Sequence, residues 1–141
     1  KKGFKSIDFL FNNAYEVEDY IVCGTRGWYI DEKLQNVTNN PEYDKIISRE
    51  ASRLRMSLEE AVKLKGNSDK QILVFLHFPA YYGSFVCDSI IDVLKEFNIT
   101  HCYHGHIHGV YNIPKTVTYN DISFTLISAD YLNFVPSLIK P

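Results

Sequence analysis

The 141-residue sequence has few of the features that mark several large classes of protein. It has no block of Lys and Arg and its net charge is −2, so no segment is typical of a nucleic-acid or anionic-membrane surface. No apolar run approaches the ~18 residues that a membrane-spanning helix needs. The three cysteines include no Cys-x-x-Cys pair, and no stretch of the sequence has the pattern of a signal peptide. These absences predict a cytoplasmic protein with reduced thiols and no membrane partner.

The remaining composition predicts one α/β domain with a layered, mixed β-sheet and flanking helices. Hydrophobic residues make up 45% of the chain, which permits a packed core. A 3.6-residue apolar period predicts a long helix that begins at Asn40-Pro41 and ends at Gly66-Asn67. A second helix is expected over 86–98, with Ser84 as its N-cap. Strands are expected over 4–11, 14–17, 20–23, 71–78, 99–103, 110–113, 116–119 and 122–128.

Histidines are concentrated at the ends of two of these strands. Four of the five lie within positions 101–108, and His77 ends the most apolar run in the chain. Ligands bind at the carboxyl ends of strands in layered α/β sheets, so neighbouring strands would bring His77, His106 and His108 together. His106 and His108 are two positions apart, and Gly105 and Gly109 allow the backbone to approach an ion. The pattern predicts a transition-metal site of the Zn, Mn, Fe or Ni class.

Four other polar residues each have two interpretations. His101 and His104 do not share this spacing and are expected to be surface or hydrogen-bonded core residues. Arg26, between two glycines at a strand end, is a candidate substrate-binding residue that could receive a phosphate, or it could pair with a carboxylate. Asp130 could accept a hydrogen bond from a ligand histidine and so orient it without binding the metal itself, or it could be a turn residue.

Two motifs resemble those of a known superfamily. Gly105-His106-Ile107-His108 resembles the G-H-x-H signature of the calcineurin-like metallophosphoesterases, and Leu76-His77-Phe78-Pro79 is similar to their lone-histidine motif. The stretches Cys23–Trp28 and Asp130–Phe134 resemble a bacterial subgroup of predicted phosphohydrolases. The resemblance covers essentially all 141 residues and corresponds to the C-terminal half of that family's β-sandwich domain.

The resemblance implies two divalent metal ions and a phosphate-ester substrate. In the family pattern, His77 and His106 would share one metal and His108 would bind the other. Two ions about 3.5–4 Å apart polarise a phosphoester and generate a hydroxide for in-line attack.

The family's remaining motifs are missing from the sequence. No Asp-x-His and no Gly-Asp occurs, and Gly66-Asn67-Ser68-Asp69 has Ser where the family's Gly-Asn-His-Asp has its proton-donor histidine. We interpret that stretch as a helix C-cap. The bridging aspartate and the proton donor are therefore absent, so the catalytic residues stay unknown. Residues 1–141 are expected to form a single partial domain, the C-terminal portion of a phosphoesterase that is inactive as a fragment.

A partial domain would leave apolar surface uncovered. We expect an exposed apolar face or sheet edge that the N-terminal half of the same domain, or a second copy of the chain, would cover. Two alternatives remain open for the function. One is a non-catalytic binding domain of the same fold, and the other is a single-metal hydrolase with three histidine ligands and an open water position.

Overall fold

The computed structural model of the chain describes residues 7–28 and 41–139. Its regular elements, in chain order, are β1 (Asn13–Val17), β2 (Tyr20–Thr25), α1 (Pro41–Lys65), β3 (Gln71–Leu76), β4 (Tyr81–Tyr82), β5 (Phe85–Val86), α2 (Asp88–Glu96), β6 (His101–His104), β7 (Thr116–Tyr119) and β8 (Ile122–Leu126). Neither helix is long and apolar enough to cross a membrane within these described ranges.

Six of the strands form one mixed sheet in the order β1-β2-β3-β6-β8-β7. The four central strands β2, β3, β6 and β8 are parallel, and the edge strands β1 and β7 are antiparallel to their neighbours. Thr25 pairs with Leu76, Leu76 with His104, and His104 with Leu126. The carboxyl ends of all four parallel strands therefore lie at the same edge of the sheet. This architecture confirms the predicted mixed α/β class.

Helix α1 packs on the β1–β2 end of the sheet through one apolar stripe. Leu54, Leu58 and Ala61 are fully buried on it, at the spacing that the sequence predicts. Ser57 is also buried on this side, where its Oγ accepts a hydrogen bond from the Gly24 N–H at 2.8 Å. The helix ends at Gly66, whose N–H donates to the Val62 carbonyl at 3.0 Å with a φ of 51°. The interpretation of the stretch from Gly66 as a C-cap is confirmed.

Helix α2 begins later than the sequence predicts. Cys87 occupies its N-cap position and makes no side-chain cap hydrogen bond, so the assignment of Ser84 as N-cap is wrong. Ser84 instead lies in the turn of the short β4–β5 hairpin, in which Tyr81 pairs with Val86. Strand pairing of Val86 holds the backbone extended, so the helix cannot extend back to that position. The helix then buries Ile90, Ile91, Val93 and Leu94.

Two predicted strands are not formed in the described residues. Positions 7–11 of the predicted strand 4–11 pair with no other strand, and at least half of the side-chain surface of Ile7, Phe9 and Phe11 is exposed. Positions 110–113 are irregular as well, because Pro114 follows them and the exposed Tyr111 finds no packing partner in the core cluster. Without a buried face, β-propensity alone does not produce a strand. Residues 1–6 and the predicted N-cap Asn40 lie outside the described residues.

The core lies between the helices and one face of the sheet. It unites the apolar faces of α1 and α2 with alternate residues of the strands, such as Ile21, Val74, Cys102 and Phe124. Residues one position away project to the opposite face, where Phe75 and Tyr103 stack with ring centroids 5.1 Å apart. Large apolar side chains of the chain ends stay exposed, namely Ile7, Phe9, Phe11, Phe134, Val135 and Leu138.

Candidate metal centre

Two of the predicted ligands are brought together by the central strands. Strands β3 and β6 are parallel neighbours, and His77 follows the end of β3 directly. The chain after β6 is tied to β3 by the Gly105 N–H, which donates to the Leu76 carbonyl at 3.3 Å. The imidazole rings of His77 and His106 consequently lie with their centroids 5.2 Å apart and their planes at 68°. The pair stands at the carboxyl edge of the parallel strands, where the sequence predicts a ligand site.

An aromatic side chain supports this pair from beside it. The Phe78 ring lies 4.4 Å from the His106 ring and 4.7 Å from the His77 ring, in edge-on arrangements. Trp28 packs on the other side of Phe78 at 5.9 Å. The two imidazoles are therefore held by packing, which limits their rotamers.

His106 has a strained backbone and a perturbed side chain. Its φ is 69°, in the left-handed region that a residue with a Cβ adopts at a cost of roughly 1–2 kcal/mol. Partial burial lowers the pKa of His106, and the nearby His77 and His108 lower it further. Both effects favour the neutral imidazole, which is the form that ligates metals.

His108 is exposed, but a carboxylate fixes its orientation. Its Nδ1 lies 2.7 Å from Asp130 Oδ1, and the Gly109 N–H donates to Asp130 Oδ2 at 2.8 Å. The Gly109 hydrogen bond, and then that of His108, hold the pKa of the Asp130 carboxyl below its usual value. An ionised carboxylate only accepts hydrogen bonds, so Nδ1 is the donor, and in the neutral imidazole this leaves the lone pair on Nε2 for a ligand. Asp130 therefore makes the orienting contact that was one of its two interpretations, and it also lies in the turn over 129–134.

The donor set fits only part of a metal centre. Imidazole nitrogens suit Zn, Mn, Fe and Ni. The rings of His77 and His106 are close enough for both to face one ion. Within residues 7–28 and 41–139, however, no three His, Cys, Asp or Glu side chains are grouped so that they could hold one ion. His108 thus stands beside the pair as an oriented donor and not as its third member.

The other two histidines of the cluster follow the hydrogen-bonded interpretation. His101 begins β6 at the opposite edge of the sheet, and its Nδ1 lies 3.0 Å from Thr100 Oγ1. His104 is only 3% exposed, and burial lowers its pKa. Its Nδ1 lies 3.4 Å from the Gly105 carbonyl oxygen.

Arg26 follows β2 at the same edge as the histidines. Its Nη2 lies 3.1 Å from Oε1 of the fully buried Glu50, and its guanidinium stands 5.3 Å from the Trp28 ring. The same carboxylate oxygen also lies 2.5 Å from Arg53 Nη1. The carboxylate pairing considered for Arg26 is thus present. Its side chain is still 43% exposed, and it borders a surface recess together with His77.

Sequence reasoning missed Glu50 and the role of Phe78. Glu50 lies four positions before Leu54, on the apolar stripe of α1, and a carboxylate at a buried helical position is the signal that could have found it. Its Oε2 has no hydrogen-bond partner among the described residues. Phe78 was treated only as a motif residue, and nothing in its local pattern shows that it touches two histidines.

Comparison with known proteins gives no family for this chain. No protein-family model, no curated protein and no solved structure matches it. Any functional assignment therefore depends on the histidine geometry and on the motifs themselves.

Proposed function

We propose that the chain supplies the histidine ligands of a calcineurin-like metallophosphoesterase, as the C-terminal half of that domain. One observation carries the proposal. His77 and His106 lie side by side at the carboxyl edge of parallel strands, beside a His108 whose Nδ1 is bound by Asp130. Enzymes that hydrolyse phosphate esters with two metals use such imidazole donors at strand ends.

Each histidine has a distinct task in this proposal. His77 and His106 would hold one divalent ion, and His108 would be a ligand of a second. Bound there, divalent ions would supply Lewis-acid activation of a phosphate ester and of water. The chain's own residues favour the neutral form of His106, pack Phe78 against the His77 and His106 rings and orient the His108 ring through Asp130. Arg26, half-exposed at the same recess as His77, is placed to contact a phosphate oxygen.

The remaining catalytic groups come from polypeptide outside these 141 residues in this proposal. The bridging carboxylate and the proton donor belong to motifs that the sequence lacks. The exposed Phe9, Phe11 and Phe134 side chains are apolar surface for the other half of the domain, or for a second copy of the chain, to cover.

Metal titration of the purified chain tests the proposal. We expect Zn²⁺ or Mn²⁺ to bind, and His106→Ala or His77→Ala to weaken binding by more than about 100-fold, since direct ligands matter more than the residues behind them. His101→Ala is the matched control because His101 lies at the opposite edge of the sheet, and it should change affinity less than about twofold. Equal losses in His101→Ala and His106→Ala, or no binding by the wild-type chain, would contradict the proposal.

A phosphodiesterase assay tests the reaction itself. With bis(4-nitrophenyl) phosphate as substrate, the 141-residue chain should be inactive, and a longer polypeptide that includes the missing motifs should be active. His106→Ala in the longer polypeptide should abolish turnover. Turnover by the longer polypeptide that survives removal of His106 would refute the assignment of this ligand.

The single-metal hydrolase is the weaker candidate, because it needs three histidines on one ion and the described residues do not group His108 with His77 and His106 in that way. It differs in stoichiometry, with one bound ion per chain and slow hydrolysis by the chain alone. The number of ions bound at saturation separates the two.

A further inference from the structure

A separate pocket of about 280 Å³ opens beside the histidine pair, on the helix-covered side of the sheet. The floor of the pocket is formed by Phe124 and Leu126 of β8 and by Val117 of β7. The β4–β5 hairpin forms one wall, and the loop 113–115 forms another. The volume is at the lower end of the range for small-molecule sites, which is about the size of one planar ring system.

The walls of this pocket are preformed. Tyr81 stacks on Tyr119, with centroids 4.5 Å apart and planes at 10°, and it also contacts Phe124 at 5.8 Å. The base of the hairpin is closed by the Cys87 N–H, which donates to the Ala80 carbonyl at 2.9 Å. A ring entering the pocket would not have to order these walls, which lowers the entropic cost of binding.

The lining is apolar and aromatic, with a single buried imidazole. His104 is 97% buried and lines the pocket, where a ring nitrogen can exchange a hydrogen bond with a ligand. The charged lining residue in the described chain is Lys115, and its Nζ donates to Ser137 Oγ at 2.6 Å. A mostly apolar cavity, with His104 as its buried polar group and with Lys115 already bonded to Ser137, selects an uncharged planar ring over an anion.

The pocket and the candidate metal centre are neighbours along the chain. Only Gly105 separates His104, which lines the pocket, from His106 in the histidine pair, so the two α-carbons are at most about 7 Å apart. That separation is short enough for one molecule to hold a ring in the pocket and a phosphate at the histidine pair.

We propose that this pocket binds the uncharged aromatic group, a nucleobase or an aryl ring, of the phosphate ester whose phosphate lies at His77, His106 and His108. The position of the phosphate in this inference rests on the proposed function. The binding of the ring does not depend on it. The substrate class is thus an aromatic phosphate ester and not an aliphatic or protein-backbone one.

The test measures binding of rings that carry no phosphate, in EDTA, to the 141-residue chain. Adenosine represents the nucleobase and 4-nitrophenol represents the aryl group, each titrated by NMR or calorimetry. We expect one of them to bind, and the one that binds better identifies the ring class. Val117→Phe fills the pocket and should weaken binding at least about tenfold. Thr118→Phe adds the same ring to the same strand on the opposite face, and should change affinity less than about twofold.

Two further variants keep the outcome decisive. Tyr82→Ala removes part of a wall and should also weaken ring binding, which covers the case in which Val117→Phe does not fold. His101→Ala, at the opposite edge of the sheet and outside the pocket lining, should leave ring binding unchanged. Absence of binding by both rings at about 10 mM, or equal affinity in wild type and both pocket variants, overturns the proposal. Ring binding without metal binding supports the pocket and overturns the phosphoesterase, whereas metal binding without ring binding does the reverse.

Discussion

Removal of the Asp130 carboxylate is the sharpest probe of the candidate metal centre. One of its oxygens accepts from His108 Nδ1 at 2.7 Å, and the other accepts from the Gly109 N–H at 2.8 Å. Groups that orient a ligand histidine in this way typically contribute 10–100-fold to metal affinity. Asp130→Asn keeps one acceptor and turns an NH₂ group toward the other donor, so we expect a loss near about tenfold. Asp130→Ala removes both acceptors, so the loss should approach about 100-fold.

The assay is a calorimetric titration with Zn²⁺, with amide hydrogen exchange of Gly109 as a second measurement. Asp92→Asn is the matched control, since Asp92 is exposed on α2 and the substitution makes the same change in charge. The control separates orientation of His108 from the long-range effect of one negative charge. Exchange at Gly109 should accelerate in Asp130→Asn and more so in Asp130→Ala, and should not change in the control. Unchanged Gly109 exchange together with equal Zn²⁺ affinities in all three variants would refute the orienting role.

Two further predictions concern the frame around the site. At Gly24 a Cβ would lie 1.8 Å from the Phe75 carbonyl oxygen and the φ is 150°, so Gly24→Ala should destabilise the protein by about 3 kcal/mol or more in urea unfolding. Gly83→Ala meets no atom within 4 Å and should lose only about 1–2 kcal/mol from its positive φ, so equal losses would contradict the clash. Burial lowers the pKa of His104 and His106 from 6.5, so the folded protein binds fewer protons than the unfolded chain below that pH. The free energy of unfolding of the metal-free protein should therefore be highest above pH 6.5 and should fall as the pH drops below that value. His104→Gln removes one of the two groups, so the urea midpoint should depend less on pH between about pH 8 and about pH 5.

The parts of the fold that the sequence predicts are those that a local pattern determines. The apolar run from Ile72 to Leu76 predicts a buried central strand, and β3 is central in the sheet. The helices cover only one of its faces, and on the other face Phe75 is half-buried against Tyr103. The stripe of α1 likewise predicts its buried face. Ser84 shows where this reasoning stops. A helix N-cap and a two-residue hairpin look alike around it, and Tyr81 stacking on the distant Tyr119 stabilises the hairpin.

The same limit applies to the candidate site. Proximity of His77 and His106 follows from the rule that parallel strands align their carboxyl ends. His101 is only five positions from His106, yet it lies at the other edge of the sheet, and this depends on where β6 begins and ends. The contact of Arg26 with Glu50 joins a strand end to a helix interior across 24 positions, and no local pattern encodes it.

Because β3 and β6 are paired, a metal ion bound by the histidine pair would link two neighbouring strands. Neighbouring strands stand about 4.8 Å apart, close to the 5.2 Å between the His77 and His106 rings. An ion held by both rings would be a reversible cross-link between the two strands at the centre of the sheet, closing a loop that includes α2. Because opening of that edge would separate the two rings, a bound ion should slow amide hydrogen exchange at the ends of β3 and β6.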